Sequence, residues 1–361
     1  MRGEIELDES HFGARQFHDD GVEVVPAEEF FSGVGFLPDR INSTAPSAIS
    51  ILQSRPMSAP EISVLMSVFN TAPFVGEAVD SVLRQTFGDF ELLIMDDGST
   101  DDSGAIIAAL AAQDSRIRIL RNERNRGLGY CRNQLMREAA GSYLALMDAD
   151  DICAATRLGA QKEFLDANPA VGIAGARAVM FSETKERLWR VPPGNWEIKS
   201  HLLLGPPLCH PSVMMRASTV RKNRLTFNED YLSAQDYLFW VDACPAVVMA
   251  NLKTPLLHYR RHRRQLSSVN NETRLANHIK IAQKHLARFN IHPSAGAVRR
   301  FIWRRHHPCA NRRELHEVRE VVDAILSIGD FYGYPGVAPS LRRKIRARYF
   351  LSWARLRGGS K

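Results

Sequence analysis

The sequence predicts an α/β fold with a mostly parallel central sheet and an α-helical, basic C-terminal region, and three observations carry that reading. Short apolar runs of strand length alternate with stretches of helical periodicity between Ile62 and Met147. The first, second and fourth of those runs end in Asn70, in Asp96-Asp97-Gly98-Ser99 and in Asp148-Ala149-Asp150-Asp151. The charge is sharply uneven, with 23 basic against 6 acidic residues from Leu256 to Lys361 inside a chain of net charge +7. Strands that alternate with helices build a parallel sheet covered on both faces. Ligands of such sheets bind outside the carboxyl ends of the strands.

Composition sets the outer limits. A chain of 361 residues is long enough for a full core and about two domains. Its 45% hydrophobic and 24% charged residues are those of an ordinary globular protein. There is no apolar run of 18 residues, so no transmembrane helix is expected. The start, Met1-Arg2-Gly3-Glu4, lacks the apolar core of an export signal. Five scattered cysteines, odd in number and without a CxxC pair, fit reduced thiols in the cytoplasm.

Residues 1–60 read as an N-terminal extension, net −6, with prolines at 26, 38, 46, 56 and 60 that interrupt any long periodic element. Phe30, Phe31 and Phe36 are its candidates for docking on the main domain. Ile62 to Phe69 is the first strand, and Val75, Val79, Val82 and Leu83 mark the helix after it. Phe90 to Met95 is the second strand, Ser103 to Ala112 a helix, Ile117 to Leu120 the third strand and Asn133 to Ala140 a helix. Leu144 to Met147 is the fourth strand, and it runs straight into three carboxylates. Three acids within four positions repel one another. Their simplest use is to hold a hard divalent cation against a phosphorylated ligand, because Mg²⁺ and Mn²⁺ prefer oxygen donors. The alternative is a solvated acidic turn that caps the next helix. Ser67, Phe69, Asp97 and Asp150 all fall at strand ends, so four loops converge on one crevice.

At this point the residues carry a resemblance. Ile62-Ser63-Val64-Leu65-Met66-Ser67-Val68-Phe69-Asn70, Ser81-Val82-Leu83-Arg84-Gln85-Thr86-Phe87 and Asp96-Asp97-Gly98-Ser99-Thr100-Asp101 resemble family 2 glycosyltransferases of bacterial polysaccharide biosynthesis. The likeness continues through Asn125-Arg126-Gly127-Leu128, Arg132-Asn133 and Asp148-Ala149-Asp150-Asp151, and covers residues 61–268. It implies a GT-A nucleotide-binding fold with a donor half, 61–151, and an acceptor half, 152–268, followed by the basic helical region 269–361. By that resemblance Ser67 and Phe69 line the base and ribose, with Phe69 standing where a Tyr is common. Asp97 reads the uracil edge or the ribose. Arg126 and Arg132 face either the diphosphate or a surface ion partner. Asp150 is the metal ligand of the DXD motif, and Asp148 lies nearer the donor sugar or ribose.

The acceptor half is read in the same way. Cys209-His210-Pro211-Ser212-Val213-Met214-Met215-Arg216 resembles the strand that follows the donor domain, and Ala234 to Trp240 the start of the family's Glu-Asp helix. Gln235 replaces the usual Glu while Asp236 is kept. Transfer with inversion needs one carboxylate to take the acceptor hydroxyl proton, and Asp236 is the candidate. Its alternative is a helix N-terminal carboxylate favoured by the macrodipole. Glu229-Asp230 is the rival acidic pair. Leu257 to Ser267 resembles the Tyr-Arg-x-His segment, which implies His262 on the metal or diphosphate and Arg260 on the phosphates. Ala155, where the family often has Pro, is a further departure.

Three helices are expected beyond Ser268, marked by Leu275, Ile279 and Leu286, by Leu315, Val318, Val322 and Ile325, and by Leu341, Ile345, Tyr349, Trp353 and Leu356. The last carries many arginines and reads either as interfacial, on an anionic membrane surface, or as a packed helix with a solvated basic face. The implied function is a metal-dependent (Mg²⁺ or Mn²⁺), inverting glycosyltransferase with a nucleotide-sugar donor, a UDP-sugar, and a saccharide or lipid-linked acceptor. Its implied place is cytoplasmic, peripheral on the inner membrane face. Two rivals remain at this level. A nucleotidyltransferase would be expected to carry a Gly-rich, Lys-bearing phosphate loop, and none follows the first strand. A nucleic-acid-binding module would not need the carboxylates at 97, 150 and 236, so no nucleic-acid partner is expected.

Overall fold

In the computed structural model of this chain, residues 59–262, 265, 271–303 and 306–358 are described. The expected extension up to residue 58, with its three phenylalanines, and the basic positions Arg263 and Arg264 lie outside them.

The strands and helices alternate as their sequence periods demand. β1 (Ile62–Val68), α1 (Ala72–Leu83), β2 (Phe90–Asp96), α2 (Ser103–Ala111), β3 (Ile117–Arg121), α3 (Leu128–Glu138) and β4 (Tyr143–Asp148) form the first half. α3 begins at Leu128, five residues ahead of the apolar signal, because Gly127 turns the chain into it at φ +89°. A short β5 (Ile152–Cys153), α4 (Arg157–Ala167), β6 (Val171–Phe181), β7 (Glu186–Trp189) and α5 (Asn195–His201) follow. Then come β8 (Met214–Arg216), α6 (Ala217–Lys222), α7 (Gln235–Ala243) and β9 (Val248–Arg260).

These nine strands make one sheet in the order β3-β2-β1-β4-β8-β6-β9-β5, with β7 on β6. β1 to β4 are mutually parallel, and β6 and β9 run in the same direction. β5, β7 and β8 run against them. The sheet is therefore mostly parallel, as the sequence predicts.

Alternation along the strands separates two cores. Ile62, Val64, Met66 and Val68 of β1 pack with Val75 and Val79 of α1. Leu65 of β1, Leu93 and Met95 of β2, and Leu144 and Leu146 of β4 pack with Leu135 of α3 and Tyr237, Trp240 and Val241 of α7. Ser67 is two positions beyond Leu65, and Asp148 two beyond Leu146. Period two thus sends both toward the side on which α7 lies. The register then sets them side by side, since Ser67 of β1 is opposite Asp148 of β4.

The C-terminal region is helical, with α8 (Asn271–Ala287), α9 (Ala295–Ile302), α10 (Arg312–Leu326) and α11 (Pro339–Gly358), and a small hairpin of β10 (Asp330–Phe331) and β11 (Tyr334–Pro335). α9, with Ala297, Val298, Phe301 and Ile302 buried at helical spacing, and the hairpin stand in addition to the three expected helices. α8, α10 and α11 fall where the three apolar stripes place them. α11 packs on α10 and α5, with Leu341 and Ile345 fully buried. The first turns of the expected interfacial stripe therefore face the protein interior. No described helix is long and apolar enough to cross a membrane. The five cysteines are all buried free thiols.

Candidate active site

The crevice lies where β1, β2 and β4 end. Phe69, the residue after β1, is 41% exposed, although large aromatic rings usually bury most of their surface. An open ring at a strand end is a surface on which a planar base can stack. Ser67 sits behind it with a buried hydroxyl that has no protein partner.

Asp97 is 3% exposed and holds the loop that leads to α3. Its Oδ1 accepts from Asn122 Nδ2 at 2.7 Å and from the Arg126 backbone N–H at 2.8 Å, and its Oδ2 accepts from the Gly127 N–H at 2.9 Å. Each carboxylate oxygen can accept about two hydrogen bonds, so Oδ2 keeps one for a ligand donor. The turn after Asp97 needs Gly98. Its φ is +71°, and a Cβ there would stand 2.7 Å from the Arg124 backbone. The Arg126 guanidinium stacks on Tyr130 at 4.0 Å.

The acidic loop is the centre of the site. One carboxylate oxygen from each of Asp148, Asp150 and Asp151 lies within 4.8 Å of the others. Arg132 Nη2 of α3 is 3.4 Å from Asp148 Oδ1, with the guanidinium over the Phe227 ring at 5.4 Å. Withdrawal from water pushes the Asp148 pKa up to about 6; Arg132 opposes that rise, and Asp150 and Asp236 add to it. Asp151 is fully buried, and burial together with Asp150 and Asp148 pushes it well above the carboxylate range.

The loop is fastened from the far end of the chain. β5 pairs with Leu257 and His258 of β9, which delivers the end of β9 to the acids. The Arg260 N–H donates to Asp151 Oδ1 at 2.8 Å, and Arg260 Nε donates to the Asp150 carbonyl at 2.9 Å. The Arg260 guanidinium also pairs with Glu77 and stacks on Phe181 and Phe74. In this structure Arg260 braces the acidic loop. His262 Nε2 is 2.9 Å from Asp150 Oδ2, and its ring lies 4.4 Å from Phe74.

Three features fit these residues to a divalent cation. The donor set is hard oxygen with one imidazole, the acids repel one another, and Asp151 Oδ2 is buried with no hydrogen-bond partner.

Asp236 occupies the first turn of α7, after Ala234 in the left-handed region at φ +62°. Burial raises its pKa, against Arg132, two backbone N–H groups and Arg274. Its charge adds to the rise of the Asp148 pKa. Glu229 lies elsewhere in its bonding, accepting from Asn133 Nδ2 at 2.8 Å beside α3. Ser67 and Asp148 thus stand side by side at the carboxyl ends of β1 and β4, with Arg132 on Asp148 and His262 on Asp150. Asn122 and Glu77 complete the site without having been singled out in the sequence. Asp151 is one of the three acids the sequence offers to a cation, although Asp150 and Asp148 are the pair given roles there.

Clustered acids at the carboxyl ends of a parallel sheet, with a further half-buried carboxylate at the start of α7, suit an α/β transferase of the nucleotide-sugar type. Residues 63–222 match the family model "Glycosyl transferase family 2". An uncharacterized glycosyltransferase of Haemophilus influenzae is 29% identical over 224 residues, 59% of this chain and 69% of that one. The putative glycosyltransferase EpsE of Bacillus subtilis is 34% identical over 165 residues, 45% of this chain and 59% of its own. Residues 1–349 of Staphylococcus aureus TarS, crystallised with UDP-GlcNAc, superpose with a TM-score of 0.56 at 18% identity, over 81% of this chain and 89% of that one. At that identity the likeness shows the fold, the GT-A arrangement. Residues 63–222 are thus similar to glycosyltransferase family 2, the relatives over the same part of the chain are glycosyltransferases by name, and the chain is an enzyme of nucleotide-sugar-dependent glycosyl transfer.

Proposed function

We propose that this enzyme is a metal-dependent, inverting glycosyltransferase that moves a sugar from a UDP-sugar to a saccharide or lipid-linked acceptor in surface or exopolysaccharide assembly. The observation that supports the reading is the Asp148–Asp150–Asp151 cluster at the end of β4, together with a further half-buried carboxylate, Asp236, in the first turn of α7. UDP is favoured because the TarS structure of this fold is a UDP-GlcNAc complex.

Each residue then has a task. Phe69 stacks on the uracil, and Ser67 and Asp97 take its polar edge or the ribose. Asp150 and His262, with Asp148 beside the donor sugar, would hold Mg²⁺ or Mn²⁺. The cation supplies positive charge to the departing diphosphate. Arg132 and Arg126 add charge on the same side, and Arg260 keeps the acidic loop in place for the phosphates. Asp236 accepts the proton of the acceptor hydroxyl as its oxygen attacks the anomeric carbon, and the opposite face of that carbon releases UDP. One displacement gives one inversion. The exposed basic face of α11 supports a peripheral position on an anionic membrane surface, where a lipid-linked acceptor would lie.

A screen of UDP-glucose, UDP-galactose, UDP-GlcNAc and GDP-mannose for nucleoside diphosphate release with Mn²⁺ tests the reading. Release from one donor, abolished by EDTA and restored by metal, is expected. Release undiminished in EDTA would remove the metal from the proposal. Pyrophosphate release from UTP and a sugar 1-phosphate would replace it with nucleotidyl transfer.

A further inference from the structure

We propose that α8, which lies beyond the segment matched by the family, belongs to the catalytic apparatus, with Asn277 and Arg274 as positioning residues for Asp236. The inference rests on the reading of Asp236 as the base.

Asp236 is presented by an unusual turn. Ala234, two residues before it, takes φ +62°, a region an alanine occupies only when its surroundings hold it there. The residue ahead of that turn is pinned from α8. Asn277 Nδ2 donates to the Ser233 carbonyl at 3.1 Å and to Ser233 Oγ at 3.3 Å. Ser233, Ala234 and Gln235 are all buried, so solvent does not offer a substitute partner.

One face of α8 continues this contact along the whole of α7. The His278 ring lies 5.2 Å from that of Tyr237, and Ile281 joins the core cluster of Tyr237, Leu238 and Val241. Lys284 Nζ is 2.9 Å from Asp242 Oδ1, and Arg288 Nη2 is 3.0 Å from the same atom. Positions 274, 277, 278, 281, 284 and 288 fall at the three- and four-residue steps that share a helix face. The face is apolar or ion-paired where α7 is scaffold. At the end where α7 begins, it offers an amide and a guanidinium. Arg274 is half-buried there, three residues before Asn277 on the same face of α8, and its charge lowers the pKa of Asp236.

The division of labour follows. Asn277 holds the backbone of the turn, and Arg274 draws the carboxylate toward α8. Together they fix where the acceptor proton is received. A base displaced by about 1 Å loses roughly 10²-fold in rate without loss of donor affinity.

The test uses the full chain and the variants Asn277→Leu, Arg274→Met, Arg274→Lys and Asp236→Asn. Three quantities are read. These are the turnover number with the nucleotide sugar found by the donor screen, the affinity for UDP with Mn²⁺ by calorimetry, and amide hydrogen exchange across 229–238. Asn277→Leu and Arg274→Met are expected to lower turnover by roughly 10- to 100-fold, with UDP affinity unchanged within about twofold. Asn277→Leu should also speed exchange in 229–238, and Arg274→Lys should recover most of the turnover lost in Arg274→Met. If Asp236→Asn is crippled while Asn277→Leu and Arg274→Met turn over like the wild type, Asp236 stands as base and α8 is scaffold only, which overturns the inference. If Asp236→Asn is itself active, the base assignment fails, and unchanged exchange in Asn277→Leu would then overturn the positioning role as well. Should Asn277→Leu not fold, the Arg274→Met and Arg274→Lys pair decides on its own.

Discussion

The donor half and the C-terminal helical region announce themselves in the sequence to very different degrees. In 62–151 each functional carboxylate ends a strand, and a parallel sheet has only one place to bind a ligand. Local pattern therefore leads directly to the site, as Ser67 opposite Asp148 shows. In 271–358 the apolar stripes locate helices but not what those helices face. α8 reads as an amphipathic helix with Lys280, Lys284 and Arg288 on one side. In the structure Lys284 and Arg288 hold Asp242 of α7, whereas Lys280 is exposed. A stripe gives a period; its partner is chosen by tertiary packing.

The comparison is tested first where the effect is largest. Asp150→Ala should reduce nucleoside diphosphate release to background, because the acidic loop then loses the carboxylate that His262 faces. Near-normal release by this variant in metal-depleted buffer would show that the donor half does not work through a cation.

Next is the carboxylate on α7, which joins the two regions. Asp236→Asn should lower turnover by ~10²–10⁴-fold, the usual worth of a general base. UDP affinity should hold, since the loss falls in the transition state. Glu229→Gln should be mild, and the reverse order of severity in a paired kinetic measurement would move the base to Glu229.

How much was legible can be said residue by residue. The four parallel strands and the convergence of Ser67, Asp97, Asp148 and Asp150 follow from period, length and strand-end chemistry, and α7 from the resemblance at Ala234 to Trp240. β6, β7 and α5 do not; β6 takes its place in the sheet from β8 and β9, which are distant in the chain. Asn122 was not legible, since an Asn after a short strand looks like any turn residue; only the fold shows it donating to Asp97. Arg260 was placed on the phosphates by resemblance, while its pairing with Glu77 depends on a helix 183 positions away. Asn277 has no motif at all.

Stability probes the C-terminal region directly. Leu341 and Ile345 of α11 are fully buried. Leu341→Ala and Ile345→Ala should each cost ~2–5 kcal/mol, the usual range for such truncations in a packed core. A membrane-bound helix that left the protein in solution would show almost no change in urea melts of the purified chain.

Acid should separate the regions as well. Between Ile62 and Asp151 there is no histidine. In the C-terminal region burial holds His278 and His285 down to about 3, with Arg274 adding to the effect at His278. Burial, with Lys344 of α11, holds His201 down to about 4. The unfolded chain takes up these protons near pH 6.5 and the folded one does not. The stabilisation is therefore complete above about pH 6.5 and falls as pH drops toward 4, by roughly 1–2 kcal/mol per histidine at pH 5. Hydrogen exchange at pH 7.5 and pH 5, corrected for intrinsic rates, should show α8 loosening before β1 and β4. Equal protection in both regions at pH 5 would remove this contrast.

The smallest expected effect concerns the outer face of α11, where the two expectations for the tail divide the helix between them. Leu341, Ile345, Arg348 and Ser352 face inward, and Arg348 Nη1 donates to the Ile302 carbonyl at the end of α9 at 3.0 Å. Arg343, Arg346 and Phe350 are exposed, at the three- and four-residue steps of one helical face. Phe350 is 60% exposed and stacks on Trp353 at 5.6 Å. A basic stripe with an open aromatic pair suits the headgroup region of an anionic bilayer. Each arginine near such a surface contributes about 1 kcal/mol, screened by salt, while insertion of the ring adds a part that salt does not remove. Because α11 is also core, truncating it would confound binding with unfolding. Substitutions on the outer face avoid that. Arg343→Gln with Arg346→Gln should weaken sedimentation with phosphatidylserine-containing vesicles most at low salt, and Phe350→Ser should weaken it at every salt concentration. Both variants should melt within about 0.5 kcal/mol of the parent, as surface changes do. Equal sedimentation of parent and variants, or equal binding to purely phosphatidylcholine vesicles, would leave α11 a packed helix with a solvated basic face.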